Sequence, residues 1–251
     1  MSPPPNPATL ACLDDLRSRV RLLERAAHRP GGILPFGVAA IDKHLPEGGL
    51  ARGTLHEIAG GGPDEVHAAA AALFAAGVLA RMQGPALWAA TAPDLFAPGL
   101  ACAGLAPDRL LHVRAPDGPS VLLVMEEALR HAGLCAVVGE VAKMSMTASR
   151  RLVLAAEKSG VTALVLRRRR EGKPADETLT AAATRWRITP LPSSPLPAPG
   201  VGRAQWRVEL TRCRGGEAAH WIMEACDAQG HLSLPADLAH RPAAQAGRHA
   251  A

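Results

Sequence analysis

The chain has 251 residues, 48% of them apolar, which is enough for one sizeable α/β domain with a real core or for two small ones. A formal charge of +5 and a pI near 9.3 suit acidic partners such as nucleic acid without identifying one. The five cysteines are scattered with no Cys-x-x-Cys pair, no apolar run reaches the length of a membrane span, and MSPPPNPATLACLDDLRSRV lacks the basic-then-apolar order of a signal peptide, so a disulfide framework, a zinc site and a membrane protein are disfavoured and the cytoplasm is expected.

Residues 1–32 read as an N-terminal amphipathic helix and linker. Leu10, Leu13, Leu16, Val20 and Leu23 share one helical stripe, packed on its own domain or offered to a partner, and Pro30-Gly31-Gly32 ends it. Residues 33–238 form the main domain, in which short β-like runs alternate with helical ones, the pattern of a mostly parallel sheet flanked by helices. In order, the spacing predicts a strand over 54–58, a glycine loop, a helix over 64–81, and strands at 85–90 and 110–113. A helix capped by Ser120 follows over 120–131, then an apolar strand at 135–139, a helix over 147–158 stopped by Ser159-Gly160, and a strand at 161–166. Beyond Ala183 the runs ATRWRITPL, AQWRVELTRCRGG and AHWIMEACDAQGHL each carry one Trp in an alternating pattern and read as antiparallel strands extending the sheet. Trp186, Trp206 and Trp221 are expected in the core. Residues 190–202 read as a Pro/Ser-rich loop and 239–251 as a disordered tail.

The stretch EIAGGGPDEVHAAAA has the surroundings of a phosphate-binding loop. Such a loop, G-x-x-x-x-G-K-[ST], offers glycine N–H groups, a lysine ammonium and a hydroxyl for magnesium at the start of a helix. Aligned from the strand end, Gly60 takes the first glycine position and Gly61, Gly62, Pro63 and Asp64 follow. Glu65 then stands for the second glycine, Val66 for the lysine and His67 for the Ser/Thr. An acid about 4 Å from a phosphate is repelled by roughly 4 kcal/mol at an effective dielectric of 20, enough to remove useful affinity. Where a strand-end Asp would hold a metal there is Gly139, with Glu140 one step on and suited to a cap or a salt bridge; Asp94 reads as a turn cap. Lysine, metal ligand and base are thus missing together, and neither cofactor nor metal is expected. His112, His131 and His220 belong to no nucleophile pattern.

The stretch FGVAAIDKHLPEGGLARGTLHEIAG, residues 36–60, resembles the lead-in to the nucleotide loop of RecA-type recombinases. LWAATAPDLFAPGLACAGLAPDRLLHVRAP, CAVVGEVAKMSMTASRRLVLAAEKSGVTALVLRR and the Trp-Arg pairs at Trp186-Arg187 and Trp206-Arg207 are similar to the ImuA branch of that fold. The resemblance implies a RecA-like core and a damage-inducible accessory role in translesion synthesis. It also implies binding to an ImuB-type Y-family polymerase homologue, with RecA and an error-prone replicative polymerase subunit as further partners. Surface candidates are the stripe from Leu10 to Leu23, self-association included, and the segment beyond Trp221. The DNA loops of that fold correspond here to residues 143–147 and to Arg167, Arg168, Arg169, Arg170 and Lys173. Two alternatives therefore stand: an ATP-independent single-stranded DNA binder using those arginines, and an ATPase with an unorthodox site on Glu140 or Asp94.

Overall fold

The runs of alternating and helical periodicity assemble, in a computed structural model that describes residues 31–169, 178–193, 200 and 202–235, into a sheet of eight strands. The stripe Leu10, Leu13, Leu16, Val20 and Leu23, the residues Arg170 and Lys173, and the expected tail at 239–251 lie outside the described residues.

Two short strands, β1 (Ile33–Leu34) and β2 (Leu50–Ala51), pair antiparallel around a one-turn helix α1 (Ala39–Asp42) and lead into β3 (Leu55–Gly60). Then come α2 (Asp64–Ala80), β4 (Ala86–Ala90), α3 (Ala97–Ala101), β5 (Leu110–Arg114), α4 (Gly118–Ala128), β6 (Ala136–Val141), α5 (Met146–Ser159) and β7 (Thr162–Arg167). The last strands are β8 (Thr184–Leu191), β9 (Gln205–Cys213) and β10 (Ala219–Glu224), and the sheet order is β10-β9-β8-β3-β7-β6-β4-β5. Every pairing from β8 across to β5 is parallel, so the first Trp strand runs parallel to β3, and in this sheet only the β8–β9 and β9–β10 pairings are antiparallel.

Both AVVGEV of β6 and TALVLR of β7 are buried along their whole length, as a parallel strand covered on both faces must be. On one face α2 packs over Ile58, Trp88, Val138 and Trp186, and on the other α4 and α5 pack over Leu55, Val137 and Val165. Trp186 sits 5.3 Å from the Phe36 ring, 5.6 Å from that of Phe74 and 6.5 Å from that of the half-buried Trp221, and Trp206 is buried in the same core opposite Pro190.

Helix ends are closed by side chains. The α4 cap is Asp117, which accepts the Ser120 N–H at 2.8 Å, so the expected cap residue Ser120 is instead the donor inside the first turn. Ser145 caps α5, and Gly160 closes it at φ 79°, a left-handed conformation that glycine adopts without a Cβ penalty. At the end of α2 the Arg109 guanidinium donates to the carbonyls of Leu79, Ala80 and Met82. Among the described residues no helix is long and apolar enough to cross a membrane. The carboxyl ends of β3, β7, β6 and β4 meet along one edge, where open parallel sheets form their binding crevices.

Candidate functional site

Only Gly61, Gly62 and Pro63 separate the end of β3 from the start of α2. Two of the loop donors that a phosphate would use are already engaged. Gly61 N–H donates to the Ile188 carbonyl at 2.9 Å, and Asp64 N–H to the Arg169 carbonyl at 2.8 Å. The Asp64 carboxylate in turn accepts the Arg169 N–H at 2.8 Å, so the first turn of α2 is stapled to the end of β7. Space is also taken. A methyl group on Gly60 would lie 2.6 Å from His67 Cβ, one on Gly62 would lie 2.5 Å from His67 Nε2, and one on Gly61 would strike the Thr189 hydroxyl. The glycines admit these side chains rather than a phosphate chain.

Beside the loop, Arg168 gathers three carboxylates from three elements. Its guanidinium lies 3.3 Å from Asp64 on α2, 2.5 Å from Asp94 after β4, and 3.4 Å from Glu140 on β6. Trp88 Nε1 donates to the other Glu140 oxygen at 2.8 Å. Burial pushes the Glu140 and Asp64 carboxyls above their ordinary range, against the pull of Arg168 on both and of the Arg169 N–H on Asp64. Burial alone would lower the Arg168 guanidinium, yet Glu140, Asp64 and Asp94 together hold it above its usual value. The arginine therefore stays charged and acts as the fixed cation of the crevice.

Glu140 is a salt-bridging residue, as its position suggested, while Asp94 pairs with Arg168. The turn that Asp94 was expected to cap leads into α3, whose N-cap Phe96 makes no side-chain hydrogen bond. At Gly139 an added methyl would strike the Met125 side chain and come 3.1 Å from Val121 Cγ1, so α4 leaves no room for an acid there. Among the described residues no group of three His, Cys, Asp or Glu side chains could hold a metal ion.

Among the described residues, Arg167, Arg168 and Arg169 do not form one exposed patch. Arg167 is buried at the end of β7, Arg168 is held by the carboxylates, and Arg169 is tied through its backbone to Asp64. His112, His131 and His220 are all exposed.

The sequence reading missed a second buried network at β3. Glu57 is 1% exposed, pairs with Arg185 at 3.2 Å and accepts a hydrogen bond from the Thr180 hydroxyl. Next to it, His56 Nε2 lies 2.7 Å from the Ala51 carbonyl, which can only accept, so Nε2 carries the proton and Nδ1 accepts from the Thr184 hydroxyl at 2.7 Å. Thr184 also accepts the Trp186 indole N–H at 2.8 Å. The one available signal was polar residues inside otherwise apolar strands, Thr54-Leu55-His56-Glu57-Ile58 above all.

No family model matches the chain. Two curated relatives do, each named Protein ImuA and each from Caulobacter vibrioides, strains NA1000 / CB15N and ATCC 19089 / CIP 103742 / CB 15. Each is 41% identical over 242 residues, covering 90% of this chain and 99% of the relative. Among solved structures, the crystal structure of the RadB recombinase matches with a TM-score of 0.56 and 16% identity, over 81% of this chain and 100% of that one, a likeness of fold with a mostly parallel, helix-flanked sheet.

Proposed function

The chain belongs to the ImuA family, and on that footing we propose that it is a non-catalytic RecA-like accessory protein of bacterial translesion DNA synthesis and damage-induced mutagenesis. It acts by contact, binding an ImuB-type polymerase homologue, with RecA and an error-prone replicative polymerase subunit as further partners. The observation that carries the non-catalytic part is the Arg168 guanidinium set among Asp64, Asp94 and Glu140 at the crevice. A magnesium nucleotide does not fit these residues: Gly61 and Asp64 have given up their N–H groups, His67 and Thr189 crowd the glycines, and the nearby carboxylates repel phosphate. No chemical step is therefore assigned to a nucleotide.

The rival single-strand-binding reading draws less support, because Arg167, Arg168 and Arg169 are engaged within the fold. An ATPase reading on Glu140 has the difficulty that both carboxylate oxygens already have partners in Trp88 and Arg168. The test is co-expression with the ImuB-type homologue, together with a thermal melt in ATP and magnesium. Co-purification and an unchanged melting temperature are expected; ATP turnover lost in Glu140→Gln would overturn the non-catalytic assignment, and failure to co-purify would overturn the adaptor.

A further inference from the structure

The side of the crevice that faces away from the glycine loop is apolar. Ala68, Ala69, Ala72 and Leu73 fall at helical spacing on α2 and form one wall, Phe96 and Leu100 form the other, and the space between them is about 670 Å³. Phe96, at the N-cap of α3, is 71% exposed, an unusual state for a phenylalanine at the rim of an apolar groove. The alanines keep the α2 wall low, so a side chain arriving from outside can reach both the helix backbone and the Phe96 ring. Volumes of this order receive one or two large side chains or a small ligand.

Charge decides what kind of ligand enters. Asp64, Glu65, Asp94 and Glu140 line the groove against Arg168. Glu65 is exposed with no ion pair among the described residues, and Asp94, 47% exposed, shares Arg168 with Asp64 and Glu140, so four carboxylates face one guanidinium and the mouth keeps an excess of negative charge. Phosphate and acidic peptides are repelled there, and a lysine or arginine flanking an apolar side chain is attracted. We propose that the groove between α2 and α3 is a docking site for a basic, apolar segment of a partner polypeptide, its leucine or phenylalanine seated on Phe96 and Leu73 and its cation on Glu65 and Asp94. The proposal rests on the adaptor reading and gives that reading a surface, distinct from the N-terminal stripe.

The probe is a short fluorescein-labelled peptide with leucines at helical spacing and lysines between them, beside a twin carrying glutamates in place of the lysines. Titrated into the full chain and followed by anisotropy, the lysine peptide is expected to saturate and the glutamate twin to bind at least about tenfold more weakly. Phe96→Ala and Glu65→Lys change exposed side chains and should leave the melting temperature in place, yet each should weaken the lysine peptide by about tenfold. Equal binding of the two peptides, or indifference to both substitutions, overturns the proposal. A tenfold gain on deleting residues 1–30 would mean, in order of magnitude, that the chain's own first residues occupy the groove, which also overturns a partner as occupant. Pull-down of the polymerase homologue separates the two readings. Retention by wild type and by both variants removes the groove and keeps the adaptor, whereas no retention by wild type removes the adaptor while the peptide result still decides the groove.

Discussion

Glu57 and Glu140 are both carboxylates buried in the same parallel sheet, and both face an arginine, but they are finished differently. Glu57 is sealed: Arg185 pairs with it at 3.2 Å, Thr180 donates to it, and Arg185 is itself held to the Thr178 carbonyl at 2.8 Å. Glu140 opens on a groove, and its arginine is shared with Asp64 and Asp94. The first is a stitch that joins β3 to the segment entering β8. The second is a charge arrangement at an edge that opens on the groove. On the proposed reading, burial of a carboxylate alone does not mark the docking region; the exposure of its partners does.

The sharpest way to break the comparison is to remove each arginine. Arg185→Met leaves Glu57 buried with only the Thr180 hydroxyl, and a loss of about 3–5 kcal/mol in urea unfolding is expected. Arg168→Met should cost less, about 2–3 kcal/mol, because water in the groove can solvate Glu140 in place of the guanidinium. Adding Glu140→Gln to Arg168→Met should recover part of that loss, since the buried charge goes with its partner. Equal costs for the two arginines would show that the groove gives Glu140 no relief.

Acid titration sharpens the same contrast with a smaller effect. Burial lifts the Glu140 carboxyl above 4.5, so the folded chain binds its proton more readily than the unfolded chain does. The stability it contributes is whole below 4.5 and is lost as pH rises through the raised value. Glu140→Gln has no such dependence. The stability of wild type relative to this variant should therefore increase as the pH is lowered from neutral toward 4.5, measured by paired urea curves, with the repulsion that Asp64 and Asp94 exert on Glu140 acting in the same direction. A difference that is flat or falls on acidification contradicts the burial of Glu140.

Much of this was legible in the chain. The order of strands and helices followed from periodicity, because a parallel strand covered on both faces must be apolar throughout, as β6 and β7 are. The loop was readable as degenerate because its chemistry depends on residue types at fixed spacing, and Val66 and Glu65 break that spacing plainly. Partners of charges were not legible. Arg168 looked like one of four similar arginines, and its role depends on Asp64, Asp94 and Glu140, which are 104, 74 and 28 positions away by subtraction of their residue numbers. The parallel direction of β8 was hidden for the same reason, since alternation sets which face a residue takes but says nothing about which neighbour the strand meets.

The smallest expected effect is the most pointed. Val66→Lys with His67→Ser writes the missing cation and hydroxyl back into the loop, at a position where Val66 is 65% exposed and a lysine can be placed without strain. Val66→Lys alone should change stability by no more than about 0.5 kcal/mol, and His67→Ser, which removes a half-buried ring packed against Gly60 and Gly62, should add a cost of about 1 kcal/mol. On the proposed non-catalytic reading, if the absent lysine alone kept nucleotide out, ATP with magnesium would now raise the melting temperature. The loop geometry argues otherwise. Gly61 still gives its N–H to Ile188, Asp64 still staples the helix start to Arg169, and the three carboxylates still surround Arg168. An unchanged melting temperature is expected, and a nucleotide-dependent rise would show that two side chains, rather than the rebuilt backbone and its charges, separate this crevice from a working one.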